Sequence, residues 1–340
     1  MTTPFRALAR RMAKADLPLA VGPAMRRALF PFDSETVERA MSEFVATLIC
    51  PSQNPCLSDA LIAQARQALD GPSDAEWLDA GVAADVFFSP APATTQKDIS
   101  HTLRTALAGH AVDVIVQPRA TRRKALFLAD MDSTMIGQEC IDELADFVGL
   151  REQVSAITER AMRGELEFES ALRERVALLK NLPVAVVEQI LHERITYNAG
   201  GETLVKTMRK HGGYTALVSG GFTVFTGPVA AKLGFNEHRS NRLQLAGDTL
   251  AGVVEDPILG REAKRERLME LRAEYKLADH QTLAVGDGAN DLDMLGEAGL
   301  GIAYRAKPAV AEAAHARLDH ADLTALLYAQ GYRKADFVTA

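Results

Sequence analysis

Asp130 and Asp132 stand two residues apart in Asp130-Met131-Asp132-Ser133-Thr134, directly after the apolar run Ala125-Leu126-Phe127-Leu128-Ala129. A short apolar run before a turn reads as a buried parallel strand. In open α/β sheets, ligands bind at the carboxyl ends of such strands. Two carboxylates placed there can divide the work of phosphoryl transfer: one attacks phosphorus and the other handles a proton. With a divalent cation they form a reaction centre rather than a structural ion pair.

Three more segments lie where a strand or loop hands over to a helix. Val218-Ser219-Gly220-Gly221-Phe222 offers a hydroxyl and a flexible double glycine, whose backbone N–H groups can cradle phosphate oxygens. Lys264 follows Gly260-Arg261-Glu262-Ala263 and opens a charged helix. Gly286-Asp287-Gly288-Ala289-Asn290-Asp291 brings two carboxylates and an amide into a loop whose glycines permit close approach, a set of hard oxygens suited to Mg2+. Taken singly, these are an ordinary turn, a solvated helix face and an Asx-rich turn. Their joint occurrence, in the order acid pair, hydroxyl, lysine, acid pair, is what points to one site.

The elements that must position these residues follow from hydrophobic patterning. Apolar strands are predicted at Ala125 to Ala129, Tyr214 to Val218, Thr282 to Val285 and Leu300 to Ala303, with helical stretches between them. That is the βαβ rhythm of a doubly wound, mainly parallel Rossmann-like sheet. A polar, helix-rich insertion over about 138–197 follows the first strand and reads as a cap. Leu243 to Val253 alternates around Gly247 and Gly252 and predicts a hairpin. Upstream, strands at Val45 to Ile49, Val82 to Phe88 and Val112 to Val116 alternate with helices at Leu57 to Leu69 and Ile99 to Ala108, a small α+β module. The expected domains are thus a helical extension over 1–44, the module over 45–121, the main domain over 122–330 and a tail over 331–340.

Bulk properties set limits. A chain of 340 residues suggests roughly two or three domains. The formal net charge of -7 lends no support to a nucleic-acid partner. Three cysteines with no metal spacing argue against a disulfide framework and fit a reducing, cytoplasmic compartment. No apolar stretch approaches the roughly 20 residues of a membrane span. The basic residues of the first thirty positions lack the apolar core of a secretion signal and read as a basic, partly helical arm.

The four segments, in this order, resemble the haloacid dehalogenase superfamily of phosphatases, over about residues 122–330. That resemblance implies an Asp130 nucleophile, an Asp132 acid and base, and phosphate bonds from Ser219 and the Gly220 N–H. It implies Lys264 beside Asp130 and the phosphoryl oxygens. It also implies Mg2+ held by the side chains of Asp130 and Asp287 and the backbone carbonyl of Asp132. Thr134 would steady the loop, and Asn290 and Asp291 would orient the phosphate or the metal's surroundings. Within the superfamily, Asp130 through Glu139 and Phe168 through Val176 resemble the phosphoserine phosphatase family. This implies that Glu139 takes the substrate ammonium, Arg175 grips its carboxylate two-pronged, and Met162 and Phe168 close an apolar lid. The implied reaction is Mg2+-dependent hydrolysis of O-phosphoserine through an aspartyl-phosphate, the last step of serine biosynthesis.

The first module resembles the ACT-like module of some phosphoserine phosphatases. Its first loop, Pro51-Ser52-Gln53-Asn54-Pro55-Cys56, lacks the glycine with which such modules bind amino acids. Packing or homodimerisation is therefore its plainer expected role. Competing functions are phosphoryl transfer to an alcohol such as homoserine, hydrolysis of another small phosphomonoester, and non-catalytic amino-acid sensing.

Overall fold

The computed structural model describes residues 43–69, 72–91, 93–162 and 165–339. The expected helical extension therefore lies, up to residue 42, outside the described residues. The main sheet has six strands: β5 (Leu126–Ala129), β6 (Tyr214–Phe222), β7 (Glu237–Asn241), β10 (Thr282–Gly286), β11 (Leu300–Tyr304) and β12 (Ala316–Leu318). Its order is β12-β11-β10-β5-β6-β7 and every pairing is parallel. A parallel sheet is covered on both faces, so its strands are apolar on both sides. Here Phe127, Leu217, Leu283 and Val285 enter one core, while Leu126, Leu128, Val218 and Ala284 enter the other. The chain leaves β5 toward β6 on one side and reaches β10 on the other. The crevice between their carboxyl ends is the topological switch point where such sheets bind ligands.

Two strands of this sheet, β7 and β12, were not anticipated from the sequence. Glu237-His238-Arg239-Ser240-Asn241 is polar because β7 is an edge strand, and β12 has only three residues. Edge strands commonly carry charge because one side faces water. The polar β2 (Pro72–Asp79) of the first module was unanticipated for the same reason.

Between β5 and the next core helix, α7 (Gly201–Lys210), come four helices: α3 (Cys140–Phe147), α4 (Arg151–Met162), α5 (Phe168–Leu178) and α6 (Ala185–Glu193). They form the cap. A hairpin of β8 (Leu243–Ala246) and β9 (Thr249–Val254) supports it from the main domain. Asn181 N donates to Leu250 O at 2.9 Å, Leu250 N to Leu182 O at 2.8 Å and Val184 N to Asp248 O at 2.9 Å. Gly252 is required at this contact: its φ is +76°, and a Cβ would lie 2.8 Å from Lys180 Cβ. After β9, α9 (Arg261–Glu274) leads to β10. No helix among the described residues is long and apolar enough to cross a membrane.

The first module runs β1 (Phe44–Ile49), α1 (Asp59–Gln67), β2, β3 (Ala83–Phe88), α2 (Gln96–Ala106) and β4 (Asp113–Pro118). Its antiparallel sheet has the order β2-β3-β1-β4, the split βαβ arrangement, around its own core of Leu48, Val86, Leu103 and Val114. Ile49, Leu78, Val82 and Ile115 on its other face join the main-domain core, and polar contacts orient it there. The buried Asp113 carboxylate accepts the backbone N–H groups of Asp319, His320 and Ala321 at 2.9, 3.1 and 2.8 Å. Tyr328 OH donates to Asp79 at 2.6 Å, and Gln117 Nε2 to Ala329 O at 2.7 Å. The C-terminal tail folds back and sets the Phe337 ring against Tyr328, tilted by 40° at 5.0 Å between ring centroids.

Unpaired buried N–H groups cost about 1–3 kcal/mol each. Asp113→Ala orphans three of them and is expected to lower unfolding stability by about 3 kcal/mol, read as a lower urea midpoint. Asp113→Asn, which keeps one acceptor oxygen, should lose clearly less.

Candidate active site

The carboxyl end of β5 continues its ladder for one more residue, Asp130 N donating to Val285 O at 3.0 Å, and then turns sharply. Met135 N and Ile136 N both reach back to Met131 O, and Ser133 takes a positive φ of 54°. This tight loop sends Asp130 and Asp132 into the crevice. Asn198, just before α7, fastens it from outside, donating to Thr134 O at 2.8 Å and Ile136 O at 3.2 Å. Thr134 Oγ1 in turn donates to Asp287 Oδ1 at 2.8 Å, tying the loop after β5 to the loop after β10.

Lys264 is almost completely buried and anchors the cluster. Its Nζ lies 2.8 Å from Asp130 Oδ1 and 2.7 Å from Asp291 Oδ1. Burial alone would lower the Lys264 pKa, but the two carboxylates outweigh it and hold the ammonium charged. Asp291 also accepts Gly288 N at 3.0 Å. Its carboxyl is so close to β10 that a Cβ on Gly286 would sit 2.3 Å from Asp291 Cγ, so that position must be glycine.

The acids around this lysine are strained electrostatically. Burial first, then the Asp291 charge, pushes Asp130 well above its ordinary range despite Lys264. Burial and the neighbouring Glu139 raise Asp132 to about 7, while Cys140, whose N–H donates to Asp132 Oδ1 at 3.3 Å, opposes the rise. Burial raises Asp287 to about 6, against the Thr134 hydrogen bond. One oxygen from each of Asp130, Asp287 and Asp291 lies within 4.8 Å of the others. Hard, crowded, partly desolvated carboxylates are the donor set of a divalent oxygen-seeking cation, and bringing one in would relieve the like-charge strain. These residues fit such an ion.

Above the cluster lies a cavity of about 150 Å³, walled by Asp130, Asp132, Ser219, Gly220, Asp287 and Asn290 below and by Phe168, Leu172 and Arg175 of α5 above. Pockets for drug-sized ligands measure about 300–1,000 Å³, so this one suits a small metabolite. Glu139 lines its mouth, held by Ser133 Oγ at 2.6 Å. The covering protein raises the Glu139 carboxyl, the Ser133 bond opposes this and the Asp142 charge adds to it. Arg175 has only two weak bonds, to Ala171 O at 3.3 Å and Thr158 Oγ1 at 3.4 Å. Among the described residues no carboxylate pairs with it, so its guanidinium is available to an anion in the cavity. A larger groove of about 750 Å³ lies at the opposite, amino-terminal end of the sheet, beside Lys206, Tyr214 and Tyr275, away from every one of these acids.

The structure thus gathers nearly all the sequence candidates around one cavity. Lys264 is placed beneath the floor, behind Asp130, rather than in the cavity wall. The carboxylate that completes the acid cluster is that of Asp291, whereas the Asp132 side chain points to Cys140 N. Met162 ends α4, but its side chain lies outside the described residues. Two contributors were missed. Gly221 lets Asp132 approach, since a Cβ there would lie 2.9 Å from Asp132 Oδ2. Asn241 bonds to Gly220 O and to both backbone polar groups of Leu259. The double glycine hinted at the first, while nothing local marks an asparagine at the end of a polar edge strand.

Residues 127–296 match the haloacid dehalogenase-like hydrolase family model. Phosphoserine phosphatase SerB2 of Mycobacterium tuberculosis is 42% identical over 231 residues, 67% of this chain and 56% of that protein. The chain therefore spans little more than half of that relative's length. Phosphoserine phosphatase of Saccharomyces cerevisiae is 39% identical over 254 residues, 74% of this chain and 82% of the yeast protein. Among solved structures, a phospho-aspartyl intermediate analogue of phosphoserine phosphatase superposes with a TM-score of 0.56 at 41% identity, covering 62% of this chain and 100% of that one.

A metal site built on the Asp291 position makes one expectation sharp. Gly286→Ala must displace Asp291, and the rise in melting temperature expected of the unaltered protein with a saturating divalent cation should be abolished. Gly296→Ala, with nothing within 4 Å of the new methyl, should leave that rise intact.

Proposed function

The chain belongs to the haloacid dehalogenase-like hydrolase family, and we propose that it is a phosphoserine phosphatase whose cofactor is Mg2+. The observation that carries this reading is a division of charge within one small cavity. Acids and the lysine-held nucleophile lie on the floor, and an unpaired Arg175 and an acid, Glu139, lie toward the cap. O-Phosphoserine has the complementary charges. Its phosphate would face the floor, its carboxylate Arg175 and its ammonium Glu139. The SerB2 and yeast relatives carry the same activity in their names.

Each step can be assigned to a residue. Lys264 opposes the burial-driven rise of the Asp130 carboxyl and aims it, and the Asp130 carboxylate attacks phosphorus as the bond to the serine oxygen breaks. Ser219 and the Gly220 N–H hydrogen-bond the phosphoryl oxygens as charge moves among them. Asp132, with its carboxyl near 7, gives its proton to the departing alkoxide. It then takes a proton from the water that attacks the Asp130 acyl phosphate, releasing phosphate and restoring both acids. Bound Mg2+, held by Asp130, Asp287, Asp291 and the Asp132 carbonyl, would neutralise the phosphate dianion among the carboxylates. The cap excludes bulk water, and its hairpin support keeps it in register. Three free thiols, Cys50, Cys56 and Cys140, suit a reducing cytoplasm.

The deciding assay is phosphate release from L-phosphoserine, with Mg2+ and with EDTA, beside sugar phosphates and phosphothreonine. Metal-dependent preference for phosphoserine is expected. Asp130→Asn should be inactive yet still bind substrate, and Arg175→Ala should raise KM for phosphoserine at least about tenfold with little change for phenyl phosphate. Release from the other esters alone would overturn the substrate assignment.

The Asp132 value near 7 sets opposite slopes for the two half-reactions. Phosphorylation of Asp130 needs the acid form, so its rate should fall as pH rises through about 7. Hydrolysis of the intermediate needs the base form and should slow as pH falls through the same range. Rapid-quench measurement of the phosphoenzyme separates the two, and Asp132→Asn should flatten both profiles.

A further inference from the structure

We infer that Asn241 is a positioning residue for phosphoryl transfer, one that clips the phosphate-binding bulge of β6 to the entrance of the Lys264 helix. The inference rests on the phosphatase reading of the site. It starts from the register of β6 against β7. Val218 pairs with Arg239, and Phe222 pairs with Asn241. Ser219, Gly220 and Gly221 therefore stand opposite the single residue Ser240 and bulge out of the ladder. Bulges re-aim backbone groups beside active sites and leave them without ladder partners. This one turns Ser219 and Gly220 into the cavity wall.

A partly buried carbonyl turned out of the ladder needs a new donor. Asn241 supplies it, Nδ2 donating to Gly220 O at 2.8 Å. The same carboxamide pairs with a second segment as a peptide would: Nδ2 donates to Leu259 O at 3.2 Å, and Leu259 N donates to Oδ1 at 2.7 Å. Leu259 lies two residues before α9, and one turn into that helix Lys264 meets Asp130. One side chain, only 2% exposed, thus fixes the bulge that binds phosphoryl oxygens relative to the helix that carries the lysine. It also shapes the seat of the cap. The Phe168 ring lies 3.7 Å from where a Cβ of Gly220 would be and 3.4 Å from that of Gly260, each at or beside a backbone group held by Asn241. From the same cap helix, Arg173 reaches Asp256 at 2.5 Å on the loop that Leu259 ends.

Because the phosphoryl group is common to all esters, losing this clip should slow every substrate alike. Asn241→Ala is expected to lower kcat about tenfold to hundredfold on both L-phosphoserine and phenyl phosphate, while KM moves less than about threefold. Inhibition by orthovanadate, which mimics the five-coordinate phosphorus, should weaken by the same factor as kcat. Asn241→Asp keeps the volume and the acceptor for Leu259 N but replaces the donor that serves both carbonyls. It should show the same loss while remaining folded, which separates positioning from collapse of the fold. A folded variant of either kind with unaltered kcat overturns the inference. So does a loss confined to phosphoserine, or a loss of kcat without weakened vanadate inhibition. Unaltered protein that hydrolyses neither ester overturns the phosphatase reading and this inference with it. Unaltered protein that hydrolyses only phenyl phosphate corrects the substrate and leaves the Asn241 test standing on that ester.

Discussion

The structure of the site depends on one buried ammonium. Lys264 sits between Asp130 and Asp291 with essentially no access to water. Burying a charge is costly unless it is paired, and removing one member of a buried pair typically costs about 3–5 kcal/mol. The lysine therefore makes it tolerable to pack acids where β5 and β10 end, and its two partners come from two different strand-end loops. Any shift of α9, of the loop after β5 or of the loop after β10 would separate these charges. The constraint explains the glycine at 286, which gives Asp291 room, and the Thr134 to Asp287 bond, which holds the loops at a fixed spacing.

One lysine does not balance the acids around it. Asp130 and Asp287 keep raised affinities for protons because burial and like charges act together. That residual strain is what makes the cluster receptive to a divalent cation. It also leaves Asp132, which turns away to Cys140 N, poised near neutrality rather than committed to one protonation state. The floor of the cavity and the cap thus do different electrostatic work. The floor concentrates negative charge and its counter-ions, whereas the cap contributes a guanidinium whose pairing is left to whatever enters.

The remaining elements hold these charges in place. The hairpin of β8 and β9 binds the backbone of residues 181–184, so the cap rests on a support rooted in the main domain rather than on its two connecting segments alone. The first module has its own apolar core on one face, while Ile49, Leu78, Val82 and Ile115 on the other join the main-domain core, and directed polar bonds, above all the three N–H groups gathered by Asp113, set how the two meet. Such bonds fix orientation more strictly than apolar contact, because each donor left unpaired would be penalised.

Central strands could be found from sequence because burial on both faces forces continuous apolar runs, as in Leu126-Phe127-Leu128-Ala129. The acid pair, the double glycine and the Asp287 loop could be found because their backbone placement requires particular residue types in short order. Edge strands β2, β7 and β12 could not, since one side of an edge meets water and relaxes the demand for apolar residues. By itself, then, the sequence determined which residues could do chemistry and that a parallel sheet would carry them to its carboxyl edge. Tertiary structure alone decided that Lys264 lies under the cavity, that Asp291 completes the acid cluster, and that Asn241 joins Gly220 to Leu259, which are 21 and 18 residues from it on opposite sides in the chain. Those outcomes depend on distances between strands and loops remote in the chain, and no local pattern encodes a distance of that kind.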